Sequence, residues 1–179
     1  MAVIRRFSRP GASNPAYNFL NTSADLINHL QTKGKLNFPL DVVAILKLLD
    51  IDLVYMEFSE EISGLLRKQI NGKWEIVVNK GHHPNRRRFT IAHEIAHYCL
   101  HRKEKDTFQD ETFFRGTAIS PQEYAANQFA GELLMPEDVF RKEIKSGRNQ
   151  IEELANFFGV SALAVRVRAK QLGMEGHGL

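Results

Sequence analysis

Two histidines and a glutamate within five residues, His93-Glu94-Ile95-Ala96-His97, are the groups in this chain whose types and spacing could do chemistry. From Phe89 to Leu100 the sequence is apolar apart from Thr90, His93, Glu94 and His97, so a helix here is buried on most sides with three ionisable groups inside it. At about 100° per residue, His93 and His97 lie one above the other on a single face and Glu94 lies just round the cylinder from them. Burying two imidazoles and a carboxylate without a partner is costly, and a metal ion is the partner this pattern suits. Neutral imidazoles bind zinc at about 2.0 to 2.1 Å, and three protein ligands leave a fourth position for water, whose pKa falls to roughly 7. Glu94 is then the expected general base, taking a proton from water as its oxygen attacks a peptide carbonyl and returning it to the leaving amine.

A third donor is required, and an acid is the usual partner of a histidine pair on a helix. The stretch 122–134, with Ser120 to cap it and Pro121 at its first position, is predicted helical. Ala126, Phe129, Ala130, Leu133 and Leu134 form its apolar arc; Glu123 and Asn127 fall on that arc and Glu132 on the opposite side. A carboxylate on a buried face requires a cation or hydrogen-bond donors, which makes Glu123 the candidate third ligand. A first-turn acid favoured only by the helix dipole would occupy the same position. His101 continues the series His93, His97, but eight residues along an unbroken helix is about 12 Å, too far for His93 and His101 to share one ion. His101 is expected beside the cleft or supporting a ligand. Tyr98, His101 and Arg115 are candidates for stabilising the oxyanion, while His82 and His83, next to Pro84, are expected as turn or capping residues.

The elements that must position these groups are legible in outline. Thr22 or Ser23 can cap a short helix carrying Leu26, Ile27 and Leu30, and Pro39 is expected to open a second with Val42, Val43, Ile45, Leu46 and Leu49 at helical spacing. From Asp52 the period changes to two: 53–58 reads as a strand, and 64–70 and 73–79 flank Asn71-Gly72, a strong hairpin signal. A small antiparallel sheet is therefore expected ahead of the metal helix, giving an α+β fold. The polar stretch 102–120, interrupted by Phe108, Phe113 and Phe114, is expected as a loop bordering the cleft. Residues 1–21 read as an extended or disordered arm, 22–145 as the main domain and 146–179 as a helical segment packed on it.

The last segment has a helix-turn-helix pattern, with a turn at Phe158-Gly159-Val160 and Ser161 capping a helix that carries Leu163, Val165, Val167 and Leu172. The start of that helix is Ala162, Leu163 and Ala164, which cannot make bidentate contacts to bases, so specific DNA reading is not expected and a packing or partner-recognition role is. Arg166 and Lys170 share a face that could touch phosphate, while Arg168 points elsewhere.

With 179 residues, 43% hydrophobic and 25% charged, the composition is that of an ordinary globular domain, and no run is long enough to span a membrane. The net charge of +3 says little about partners, and the basic clusters at Arg86 to Arg88 and Arg166 to Lys170 read first as solvated helix faces. The single Cys99 cannot form an internal disulfide and sits in the apolar helix, which implies a reducing compartment. Arg5-Arg6 is followed by Phe7-Ser8-Arg9-Pro10-Gly11 where an export signal needs an apolar core, so a cytoplasmic location is expected.

Residues 85–101 and the run Glu123-Tyr124-Ala125-Ala126-Asn127-Gln128-Phe129-Ala130-Gly131-Glu132-Leu133-Leu134-Met135-Pro136 resemble the ImmA/IrrE family of zinc metallopeptidases, and the similarity extends over about 39–173, including Ile62-Ser63-Gly64. The resemblance implies a compact zincin-like domain in which His93, His97 and Glu123 hold zinc and Glu94 acts as base. It also implies a substrate, a helix-turn-helix repressor of the XRE type, whose cleavage switches on mobile-element or stress genes, or a toxin and antitoxin pairing. A substrate segment is expected to bind as an added strand along an exposed sheet edge. The alternative is a DNA-binding regulator or toxin partner whose zinc fold no longer cleaves.

Overall fold

The hairpin turn at Asn71-Gly72 fixes the centre of the fold. Gly72 takes φ +82°, and Asn71 Oδ1 accepts from the Lys73 backbone N–H at 2.9 Å, closing β3 (Ile62–Lys68) onto β4 (Trp74–Asn79) in antiparallel register from Gly64 opposite Val78 to Lys68 opposite Trp74. The computed structural model describes residues 3–5, 20–104, 106–111 and 120–174, without side chains for 3–5 and 109–111.

Five strands make one sheet in the order β1-β2-β4-β3-β5, with β1 at Val3–Arg5, β2 at Asp52–Met56 and β5 at Thr107–Glu111. The sheet is mixed rather than antiparallel throughout, because β2 lies parallel to β4, Leu53 opposite Ile76 and Val54 opposite Val77. The reason is in the side chains: Ile76, Val77 and Val78 are all fully buried, so β4 takes the centre of the sheet and β2 must pair with the edge that the hairpin leaves open. Two further pairings were not expected. β5 lies antiparallel to β3 within the stretch read as a loop, and β1, inside the expected arm, lies antiparallel to β2. Of the other expected arm residues, 1–2 and 6–19 lie outside the described residues, as do Phe113 and Phe114, whereas Leu20 is buried in the core and so belongs to the domain.

Helix α1 (Ser23–Thr32) starts in a capping box of Thr22 and Asp25. Helix α2 (Val42–Leu49) is opened by Asp41 and not by Pro39: the Asp41 carboxylate accepts from the N–H groups of Val43 and Ala44, both at 3.0 Å. Helix α3 (Pro84–His101) has His83 as its N-cap and Pro84 in its first turn, and its ten residues from Thr90 to Cys99 are all buried. It lies between the sheet and α4 (Pro121–Leu134), which Ser120 caps as expected. Then come α5 (Glu137–Lys145), α6 (Ile151–Phe158) and α7 (Ala162–Gln171). Phe140, Leu154, Phe158 and Val165 belong to the same apolar core as Leu40, Ile76, Ile95 and Leu133, so the last two helices close the core rather than stand apart from it.

The basic run at the start of α3 is structural, not a solvated face. Arg86 donates to Ser63 Oγ at 3.1 Å, and the Arg87 guanidinium lies 5.6 Å from the centre of the Tyr55 ring. Arg88 donates to the carbonyls of Leu40 at 2.8 Å and Gly159 at 3.0 Å. Asn85 adds a bond to the Val160 carbonyl at 2.9 Å, so the turn between α6 and α7 is tied to the first turns of α3. Gly159 takes φ +65°, and a Cβ there would fall 2.9 Å from both Arg88 Nε and Pro39 Cβ, so the turn accepts only glycine.

Candidate active site

Helix α3 runs through the core with polar groups facing inward on one side, and α4 crosses it so that its first turn meets them. The Nε2 atoms of His93 and His97 stand 2.9 Å apart. Glu123 brings one carboxylate oxygen to 3.1 Å from His93 Nε2 and the other to 3.2 Å from His97 Nε2. The sequence placed this acid on the buried arc of α4, and there it is; Glu132 is exposed and accepts from the Ser23 hydroxyl at 2.8 Å.

These donors fit a divalent cation. Atoms held at about 2.0 to 2.1 Å from one tetrahedral ion lie roughly 3.3 Å apart, close to the observed spacings of 2.9 to 3.2 Å. The protonation states fit as well. Burial is the largest influence on His93 and disfavours its charge; hydrogen bonds with Glu123 and Asn127 act the other way, and its pKa stays below the usual 6.5. Burial by itself would raise the Glu123 carboxyl, but its hydrogen bonds with His93 and His97 outweigh it and hold the pKa far below the usual carboxylate range. A neutral imidazole beside an ionised carboxylate is the state a metal ligand needs. Both histidine side chains are almost wholly enclosed, 0% and 2% exposed, whereas that of Glu123 is 34% exposed, so the site opens on the α4 side.

Glu94, next to His93 in the chain, is fully buried against the sheet, where a Cβ on Gly64 would lie 3.6 Å from its Oε1. Asn127, one turn after Glu123, is a residue the sequence placed on the right face without a role; it lies near enough to His93 to favour the charged form of that ring slightly. Phe108 of β5 stacks on the His97 ring, centroids 5.0 Å apart and planes 15° from parallel.

The remaining candidates divide. His101 stays out of the donor cluster, its ring 5.5 Å from that of His97 and its Nδ1 3.5 Å from Glu104. His83 caps α3 by accepting from the Asn85 N–H at 3.2 Å. His82 lies 3.2 Å from the Glu60 carbonyl and 3.4 Å from Asn79, and burial lowers its pKa; neither residue is near the donors. Tyr98 packs edge-on against Trp74 and under the Arg102 guanidinium, which engages it in the core. Arg115 lies outside the described residues.

A family model, Peptidase M78, described as an IrrE N-terminal-like domain, matches residues 46–170, well over half of the chain. No curated protein matches.

Proposed function

The chain belongs to the M78 peptidase family of IrrE N-terminal-like domains, and from that premise we propose that it is a zinc-dependent endopeptidase whose substrate is a helix-turn-helix repressor of the XRE type. One observation carries the reading: two imidazole nitrogens and a carboxylate, from two helices, converge to within 4.8 Å of one another with a second buried carboxylate alongside. His93, His97 and Glu123 would hold the ion, and their two nitrogens and one carboxylate are a donor set that suits zinc. Bound there, zinc would supply Lewis acidity, polarising a peptide carbonyl and lowering the pKa of water.

The rest of the chemistry falls to the chain. Glu94 accepts a proton on its carboxylate as water attacks the carbonyl carbon, and delivers it to the departing amine nitrogen as the C–N bond breaks. Its burial removes competing water and strengthens every charge interaction in the cleft. The α3 backbone fixes both rings at one-turn spacing. Among the described residues β5 pairs only with β3, so its outer edge is where an extended substrate segment would add as a strand. A repressor as substrate rests on the resemblance to the ImmA/IrrE family, and cleaving it would derepress the genes it controls. The non-catalytic DNA-binding reading draws no support from α7, where Arg168 is buried against the Met135 carbonyl at 3.0 Å.

Glu94→Gln tests the reading. The variant should keep zinc and lose about a hundredfold or more in repressor cleavage, since general base catalysis alone contributes about 10²–10⁴-fold. Cleavage at the wild-type rate by a zinc-loaded Glu94→Gln chain would show that Glu94 is not the base.

A further inference from the structure

The strand beneath Glu94 departs from regular pairing at the point where it meets α3. β3 faces β5 with Ile62 opposite Glu111 but Gly64 opposite Asp110, so Ser63 is an extra residue in a β-bulge. In a regular strand neighbouring side chains point to opposite faces, and a bulge breaks that alternation. Here Ser63 and Gly64 both face α3. Ser63 Oγ accepts from Arg86 Nη2 at 3.1 Å. A Cβ on Gly64 would lie 2.6 Å from Thr90 Cγ2, 2.8 Å from the Val77 carbonyl oxygen and 3.6 Å from Glu94 Oε1. Gly64 is not among the glycines with positive φ, so what it supplies is room and not an unusual backbone angle.

Arg86, Thr90 and Glu94 follow one another at spacings of four along one face of α3, and that face is the one pressed on Ser63 and Gly64. We infer that Ser63 and Gly64 are positioning residues that set the height of α3, and with it the Glu94 carboxylate, above strand β3. The inference rests on Glu94 as the base of the proposed peptidase. Height matters because a peptide laid along β5 is held by the same strand ladder, and the base must reach a bond whose position that ladder fixes. A side chain at position 64 meets the Thr90 methyl of α3 as well as the Val77 carbonyl of β4, and the first of these contacts presses the helix away from the strand while His93, His97 and Glu123, shared between α3 and α4, stay together.

The test compares wild type with Gly64→Ala, Gly64→Ala/Thr90→Ser and Ser63→Ala by zinc content, crystal structure and turnover of a quenched-fluorescent peptide mixture. Gly64→Ala should bind zinc as wild type does, show α3 raised from β3 with the three donors unmoved relative to one another, and lose about 100-fold in kcat with little change in KM, the cost of a misplacement of about 1 Å. Removing the Thr90 methyl in the double variant should lower the helix and recover about tenfold. Ser63→Ala crowds nothing and should lose several-fold in kcat at unchanged zinc content. The inference is overturned if α3 keeps its height and kcat its value in Gly64→Ala, or if Thr90→Ser restores nothing. Should Gly64→Ala not fold, wild-type kcat in Ser63→Ala overturns it. A wild-type chain that takes up no zinc would sink the peptidase reading instead, and the crystallographic comparison of helix height would still decide this one.

Discussion

Burial disfavours charge on His93 while hydrogen bonds with the two rings favour the ionised form of Glu123, and those are the charge states a metal site asks of these two side chains. Removing either donor should therefore act on affinity directly: His93→Ala or Glu123→Ala is expected to lower zinc affinity by more than the roughly 10 to 100-fold typical of losing a supporting residue, measured by competition with a chromophoric chelator. A Glu123 variant with wild-type affinity would remove that residue from the site. Cys99 shows the other use of burial. Its thiol is pushed up to about 12 from 9.0, so at pH 8 it should resist a thiol reagent in the folded chain and react at once in denaturant. The sign for stability follows. Between those two values the native thiol keeps a proton that the unfolded chain releases, so stability falls as pH rises above about 9. Cys99→Ala should flatten that alkaline limb in denaturant titrations.

Elements differed in how much of them the residues announced. The His-Glu-x-x-His spacing, the apolar arc carrying Glu123, the Asn71-Gly72 turn and the Gly159 break are local patterns, and each appears as read. What was missed depended on contacts distant in sequence. Strand β5, Thr-Phe-Gln-Asp-Glu, has little strand propensity of its own and is strand because β3 offers an edge to pair with. The parallel pairing of β2 follows from β4 being apolar on both faces, which composition alone does not reveal. The arginines of α3 looked solvated because charge is usually outside, yet Arg88 is drawn in by two carbonyls, and burial lowers its pKa. Arg88→Met would leave the carbonyls of Leu40 and Gly159 without that donor, so a loss of about 1 to 3 kcal/mol per orphaned buried group is expected, read from the urea midpoint. An unchanged midpoint would mean water replaces the guanidinium.

At the scale of the whole molecule, one sheet, the helix it supports and the helices packed over it share one core, and the site lies where α3 and α4 meet. Among the described residues no helix is long and apolar enough to cross a membrane. The helix-turn-helix pattern at the end is real as geometry, with α6, a glycine turn and a Ser161 cap on α7, but its inner face is spent on the core. Binding to random duplex DNA should therefore be weak and vary little between 50 and 200 mM salt, whereas a protein contacting many phosphates loses about 10³ or more in affinity over that range. A steep salt slope would return DNA to the list of partners.

The bonds from Asn85 and Arg88 to the turn at Gly159 and Val160 make that turn a splint on the leading half of the histidine-bearing helix. A chain shortened to end before it would retain His93, Glu94, His97 and Glu123 and still lose the brace that keeps the first of them in line. The stretch most easily mistaken for a detachable reading head is thus part of the scaffold of the candidate site.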